Sequence, residues 1–186
     1  MRRRNTLQRW LTLDGVRFFM DLGLHTGDRV LDFGCGDGVY SIPAARVVGT
    51  KGAVYALDRD RQRLKNLEQK AFGFGLCSIV TVHDLHELEA ILHGLYLDAV
   101  LLYDVIHSYY FTFSEREQLL RSIISMVRSK GLISIFPRHM DTEEIRNLTD
   151  TLNRLECFFE KKHQSSLMHD GMYTFDDTLS FRKGGD

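Results

Sequence analysis

Three short stretches hold the residues whose types and spacing could do chemistry. The first is Asp32-Phe33-Gly34-Cys35-Gly36-Asp37-Gly38, which follows the apolar run Val30-Leu31. Glycines at such a place let backbone approach a ligand closely and adopt positive φ. The loop N–H groups and the start of a following helix favour a polar or anionic group. A strand-to-helix turn that merely needs glycine is the plainer alternative. The second set is a pair of acids, Asp58 and Asp84, each placed after an apolar run and each also able to cap the next helix. The third is Tyr103-Asp104-Val105-Ile106-His107, followed at once by Tyr109-Tyr110-Phe111-Thr112-Phe113. An imidazole, with its usual pKa near 6.5, suits a general base at neutral pH, so His107 is the candidate base; packing or capping at a strand-end loop is its other use. The aromatic cluster could wall an apolar acceptor site, but core beneath the next helix is the favoured reading.

These stretches need elements to position them. The first two dozen residues read as helical, with Leu7, Trp10 and Leu11 on one face, Val16, Phe19 and Met20 on another, Asp14-Gly15 punctuating and Gly23 as C-cap. From Gly27 the pattern alternates. Strands are expected at 29–33, 53–57, 78–82, 97–103 and 131–136. Helices are expected at about 39–48, over Leu64, Leu67 and Ala71, over Leu88, Ile91 and Leu92, over Leu119, Leu120, Ile123, Ile124 and Val127, and at 141–155. A capping box is read at Ser114 to Glu117. Two further strands, 157–162 and 172–182, are joined by a polar turn and not by a helix. Successive strand–helix units predict an α/β fold, a doubly wound and mostly parallel seven-stranded sheet with helices on both faces. The last two strands should form an antiparallel hairpin at one edge.

Composition sets the outer limits. A chain of 186 residues with 44% hydrophobic and 26% charged residues suits one domain with a real core and argues against disorder. No run of 18 apolar residues occurs, so no membrane span is expected. Net charge is −1, which disfavours a globally basic nucleic-acid binder. Cys35, Cys77 and Cys157 form no CxxC pair, which suggests a reducing, cytoplasmic setting with neither disulfide framework nor zinc site. Histidines 25, 83, 86, 93, 139, 163 and 169 show no HxxxH or HExxH spacing and read as surface or capping residues, so no metal site is expected.

The glycine loop can be sorted by spacing. A dinucleotide fingerprint would need a third glycine where Val39 stands, and a P-loop would need Gly-Lys-Ser/Thr. A nicotinamide-dependent oxidoreductase is thereby disfavoured. The stretch Val30 to Gly38 instead resembles the first motif of class I S-adenosylmethionine-dependent methyltransferases. The wider stretch Gly27 to Asp58 is similar to the small-molecule branch around the ubiquinone and menaquinone C-methyltransferases.

That resemblance implies a single Rossmann-like methyltransferase domain over 1–186, with residues 1–26 as a helical lid on a core at 27–186. It implies S-adenosyl-L-methionine as cofactor, with Asp32, Gly34, Cys35, Gly36 and Gly38 around the methionine moiety. Asp58 would accept from both ribose hydroxyls, with Arg59 flanking. Asp84 would accept from the adenine amine or simply cap a helix. Tyr103 and Asp104 would lie near the methionine end or shape the acceptor pocket, and Asp104 and His107 are the catalytic candidates. The segment lacks the Asn/Asp-Pro-Pro-aromatic signature of base N-methyltransferases, which favours a small-molecule acceptor. No large substrate-binding insertion is present. The acceptor would be covered by the N-terminal helices, by the loop after Asp104, or by a second copy in a homodimer; Arg2, Arg3 and Arg4 could meet an acidic acceptor, but a solvated, disordered tail is the favoured reading. A non-catalytic cofactor-binding partner of another methyltransferase is the alternative to an enzyme.

Overall fold

The computed structural model describes residues 2–185, with side chains from Thr6 onward. The expected role for Arg2, Arg3 and Arg4 therefore lies outside the described side chains. Strands β1 (Arg29–Phe33), β2 (Ala53–Leu57), β3 (Ile79–Val82), β4 (Leu97–Tyr103), β5 (Val127–Phe136), β6 (Cys157–His169) and β7 (Met172–Lys183) form one sheet in the order β3-β2-β1-β4-β5-β7-β6. The first five run parallel, and β7 pairs antiparallel with both β5 and β6. The hairpin thus closes one edge as expected, with β6 outermost. Strand order reverses between β1 and β4, which opens a crevice at their carboxyl ends.

Strand β4 is buried on both faces over Ala99–Tyr103, which is why that stretch reads as a near-continuous apolar run. One core lies between the sheet and helices α1 (Arg2–Arg9), α2 (Gly15–Leu22) and α3 (Ser41–Val48), around Trp10, Phe19, Leu22, Val30 and Leu101. The other lies under α5 (Leu85–Leu92), α6 (Phe113–Ser125) and α7 (Thr142–Arg154), around Leu88, Val100, Ile123 and Leu152. Helix α4 (Arg61–Gly73) sends Leu64 and Leu67 into the first core.

Asp14-Gly15 does not break the N-terminal helix. The chain stays helical through a π turn at Trp10–Asp14, whose extra residue rotates the buried face. Phe18, Phe19 and Leu22 therefore go inward, while Met20, expected inside, is 60% exposed. Trp10 is fully buried and donates its indole N–H to the Val39 carbonyl at 2.8 Å, tying this helix to the exit of the glycine loop.

Three boundaries also moved. The capping box of α6 is Thr112 with Glu115, not Ser114 with Glu117. Val127 belongs to β5, not to α6, because Lys183 from β7 donates to the Ile124 and Val127 carbonyls and takes over where the helix stops. Strand β6 runs on to His169, and the turn shrinks to Asp170-Gly171, both at positive φ. Continuous pairing with β7 holds those polar residues extended where local sequence does not ask for it.

Candidate active site

The glycine loop hangs from the carboxyl end of β2. Gly34 and Cys35 donate their N–H groups to the Leu57 carbonyl at 2.8 and 3.0 Å. Gly34, Gly36 and Gly38 all have positive φ, at 75°, 53° and 82°. A Cβ on Gly34 would lie 2.5 Å from Val105 Cγ2, and one on Gly38 would lie 2.2 Å from Leu67 Cδ1. On Gly36 it would meet the end of the Arg63 side chain at 3.3 Å.

Helix α4 clamps the loop from above, a role not read from the sequence. Asn66 donates to Asp37 Oδ1 at 3.1 Å, and Lys70 donates to the Asp37 carbonyl at 3.0 Å. Arg63, Asn66, Leu67 and Lys70 recur at helical spacing, so they share one face. That periodicity was visible, but nothing in it named the loop as partner.

Asp58 faces the loop. One oxygen accepts from Gly36 N at 2.9 Å and the other from Asp60 N at 2.8 Å. Asp60, not Asp58, caps α4, accepting from Gln62 and Arg63 N–H groups. Each carboxylate oxygen of Asp58 retains a second lone pair for a ligand donor. Arg59 beside it is exposed.

Asp32 is 2% exposed. Burial pushes its carboxyl up to about 6, against the hydrogen bond from Ser41 and with the Asp58 charge adding. The Ser41 hydroxyl donates to Asp32 Oδ2 at 2.5 Å from the start of α3. Cys35 is also buried, and burial followed by the Asp32 and Asp58 charges keeps its thiol protonated. Tyr103 lies deeper, with its ring 4.7 Å from that of Tyr40 and its hydroxyl paired with Ser134 Oγ at 2.8 Å. Asp84 sits at the exposed N-terminus of α5 and accepts from Glu87 N at 2.9 Å, which is its capping use.

Beyond β4 the structure assembles a cluster that the sequence reading split apart. Asp104 Oδ1 lies 2.8 Å from His139 Nδ1 and 3.8 Å from His107 Nε2. Asp104 Oδ2 lies 3.4 Å from His169 Nδ1. His139 and His169, expected at the surface or as caps, thus converge with His107 on one carboxylate. The reason is topological: β4, β5 and β6 all end at the same side of the sheet, so residues from remote segments meet there. Asp104 and His139 both hold left-handed backbone, at φ 54° and 64°. The loop carrying His107 is fixed by buried Arg116, which donates to the Ile106 carbonyl at 3.3 Å, and by Glu144, which accepts from Ser108 N at 2.9 Å.

The aromatic cluster corrects the expectation of core. Tyr109 is 83%, Tyr110 51% and Phe113 50% exposed. The Thr112 cap starts α6 so early that these rings stay outside the helix's buried face, which begins at Arg116. Tyr110 instead packs its ring 4.7 Å from His107. A separate cavity of about 660 Å³ lies against the N-terminal helix and the hairpin, lined by Arg9, Asp14, Phe18, His163 and Tyr173 among others. No glycine-loop residue lines it.

The sheet order, with a glycine loop at the end of its first strand, is that of the class I, S-adenosylmethionine-dependent methyltransferase fold. A family model described as a methyltransferase domain matches residues 30–131, more than half of the chain. The chain belongs to that methyltransferase domain family. It is 33% identical over 61 residues to a probable cobalt-precorrin-6B C(15)-methyltransferase (decarboxylating) of Saccharolobus solfataricus, covering 33% of this chain and 31% of that protein. It is 37% identical over 62 residues to a demethylmenaquinone methyltransferase of Geobacillus kaustophilus, covering 33% and 26%. The matches to these curated relatives thus span about a third of their length or less. Among solved structures, magnesium protoporphyrin IX methyltransferase of Synechocystis PCC 6803, with bound S-adenosylmethionine, superposes with a TM-score of 0.67 at 19% identity, covering 97% of this chain and 81% of that one. The same fold occurs in a putative rRNA methylase of Clostridium thermocellum (TM-score 0.64, 17% identity, 92% of this chain and 97% of that one), so fold alone does not select the acceptor.

The residues present fit the cofactor. Two carboxylates flank a loop whose glycines leave its backbone bare, and the cofactor carries an ammonium and a sulfonium. Asp32 at an elevated pKa is a buried anion short of a counter-charge, which a bound cation would supply. No helix of the described residues is long and apolar enough to cross a membrane.

Proposed function

We propose that this chain transfers a methyl group from S-adenosylmethionine to a small-molecule acceptor. The observation that carries the reading is the glycine loop held between Asp32 and Asp58 and touching, through Gly34 and Val105, the loop that starts at Asp104. When bound, the cofactor supplies a methyl group already activated by its sulfonium. The chain then has to hold, align and shield. Asp32 and Ser41 face the methionine ammonium. Gly34, Cys35, Gly36 and Gly38 present backbone to the methionine moiety. Asp58 takes the ribose hydroxyls, with Arg59 beside it, and Asp84 stands at the adenine end. Tyr103 backs the wall beneath the reacting end. Asp104, His107 and His139 face the acceptor and favour its deprotonation.

The exposed rings of Tyr109 and Tyr110 beside His107 suit a flat or apolar acceptor, and the net charge of −1 favours a small molecule over a nucleic acid. A second copy of the chain is a further cover for that face. The test is calorimetry with S-adenosylmethionine and with NAD, followed by transfer of labelled methyl to a panel of hydroxylated and carbon-nucleophile acceptors. Binding of NAD with indifference to S-adenosylmethionine would overturn the proposal. Cofactor binding without transfer to any acceptor, alone or with a co-purifying methyltransferase that it activates, would move the chain to the non-catalytic partner class.

Two quantitative expectations arise here. Asp58→Ala should weaken cofactor binding by about 1–3 kcal/mol, because hydrogen-bonded donors in both loop and ligand lose their acceptor. An unchanged Kd in a folded variant would remove Asp58 from the ribose site. The second concerns Asp32, whose ionisation is opposed by burial below about pH 6. A folded-state pKa above the ordinary carboxylate value means that ionisation opposes folding as pH rises toward 6, and a bound ammonium relieves this. Cofactor affinity should therefore fall by up to about tenfold per pH unit below 6, with proton release on binding near pH 5–6. Titrations in buffers of different ionisation enthalpy read that release directly. An affinity flat from pH 5 to 7 would show that Asp32 does not face the cation.

A further inference from the structure

We propose that Asp104, His107 and His139 form a binding site for a divalent transition-metal ion, with zinc the best match to the ligand set. The inference deepens the methyl-transfer reading and rests on it for its catalytic consequence, but the metal site stands on its own geometry. One ligand atom from each of the three residues lies within 4.8 Å of the other two. In a tetrahedral zinc site, with bonds of about 2.0–2.2 Å, neighbouring donor atoms lie about 3.3 Å apart. The distances from Asp104 Oδ1, 2.8 Å to His139 and 3.8 Å to His107, bracket that spacing. Two imidazoles with one carboxylate favour zinc, iron, copper or nickel over the hard cations calcium and magnesium, which take oxygen ligands.

The surroundings support a built site. The second carboxylate oxygen of Asp104 faces His169 Nδ1 at 3.4 Å, and His169 Nε2 in turn faces Asp170 at 3.3 Å. That is the outer arrangement which orients a ligating carboxylate. His107 is 7% exposed, packed against Tyr110 and held by the Arg116 and Glu144 contacts to its loop. His139 is exposed, so a position toward solvent stays open to an outside ligand. Asp104 and His139 keep a left-handed backbone that non-glycine residues seldom adopt, and in both cases it accompanies an aim at the same point.

The consequence is a preference for acceptors with an ionisable hydroxyl. Such an oxygen would take the open metal position and lose its proton to solvent more readily. It would then form the oxygen–carbon bond as the methyl carbon–sulfur bond breaks. The electron pair of that bond stays on sulfur, leaving neutral S-adenosylhomocysteine. Charge and atoms balance without any oxidant or further reactant.

The test uses chelator-treated full-length protein titrated with Co²⁺ and followed by visible absorption, then displaced by Zn²⁺. One equivalent should bind, and His139→Ala and Asp104→Asn should each weaken it by at least about 100-fold, since even outer-shell losses cost 10–100-fold. His25→Ala, an exposed histidine beside Asp28, should leave it unchanged. Circular dichroism melts check that the variants are folded. His169→Ala should weaken binding less than loss of a ligand. No stoichiometric binding, or binding equally retained in His139→Ala and Asp104→Asn, overturns the site. Calorimetry with S-adenosylmethionine in chelator separates the two readings. Intact cofactor binding beside absent metal binding removes the metal alone, and metal binding without cofactor binding removes the methyl-transfer reading and keeps the ion.

Discussion

Gly36→Val should yield a folded chain that no longer binds S-adenosylmethionine detectably. Gly36 is buried at the centre of the loop, with φ 53°, and its N–H donates to Asp58. A Cβ there would find the Arg63 guanidinium nearest, at 3.3 Å, the movable end of a long side chain. The internal cost is therefore the left-handed backbone, about 1–2 kcal/mol. The larger effect falls on the ligand, because two methyls would stand where the cofactor needs bare backbone. Gly38→Val makes the contrast. Its Cβ would lie 2.2 Å from Leu67, a fully buried core residue, so that variant should lose stability by several kcal/mol before binding can be asked. Melting temperature and cofactor calorimetry on both variants test the pair. A Gly36→Val protein with wild-type Kd would show that the cofactor does not lie on this loop.

His139→Ala should lower turnover by roughly 10²–10⁴-fold with little change in melting temperature or cofactor Kd. The ring is exposed, and its one close polar partner among the described residues is Asp104, so truncation opens no core cavity. His107→Ala should cost turnover over the same range. It also removes a buried ring packed on Tyr110, so a stability loss accompanies it. His107→Gln retains most of the volume and separates packing from chemistry. Cofactor affinity should hold in all three, because Val105 stands between this cluster's loop and Gly34 of the glycine loop. Near-normal turnover in His139→Ala and His107→Gln, once an acceptor is in hand, would leave alignment as the whole mechanism.

The sequence by itself determined what local chemistry dictates. The glycine spacing and the acid before it marked the candidate cofactor loop, because such a turn leaves backbone bare between a strand and a helix. Apolar runs with helical stretches between them marked five parallel strands, and the missing helix before residue 172 marked the antiparallel edge. Asp32 and Asp58 were legible as candidate acids from their place at strand ends. What Asp58 does was settled by a neighbour two residues on: Asp60 takes the helix cap and leaves Asp58 for the loop.

Only the tertiary structure decided the cluster around Asp104. His139 and His169 carry no local signal, since their partner lies 35 and 65 positions away and is reached through the sheet order. Three strand ends on one side of a sheet bring them onto Asp104. Long-range pairing also set the length of β6, and the Thr112 cap kept Tyr109 and Tyr110 outside. Spacing along a chain encodes what neighbours can do to each other within a turn or two; which strand ends face one crevice depends on how the whole sheet is wound.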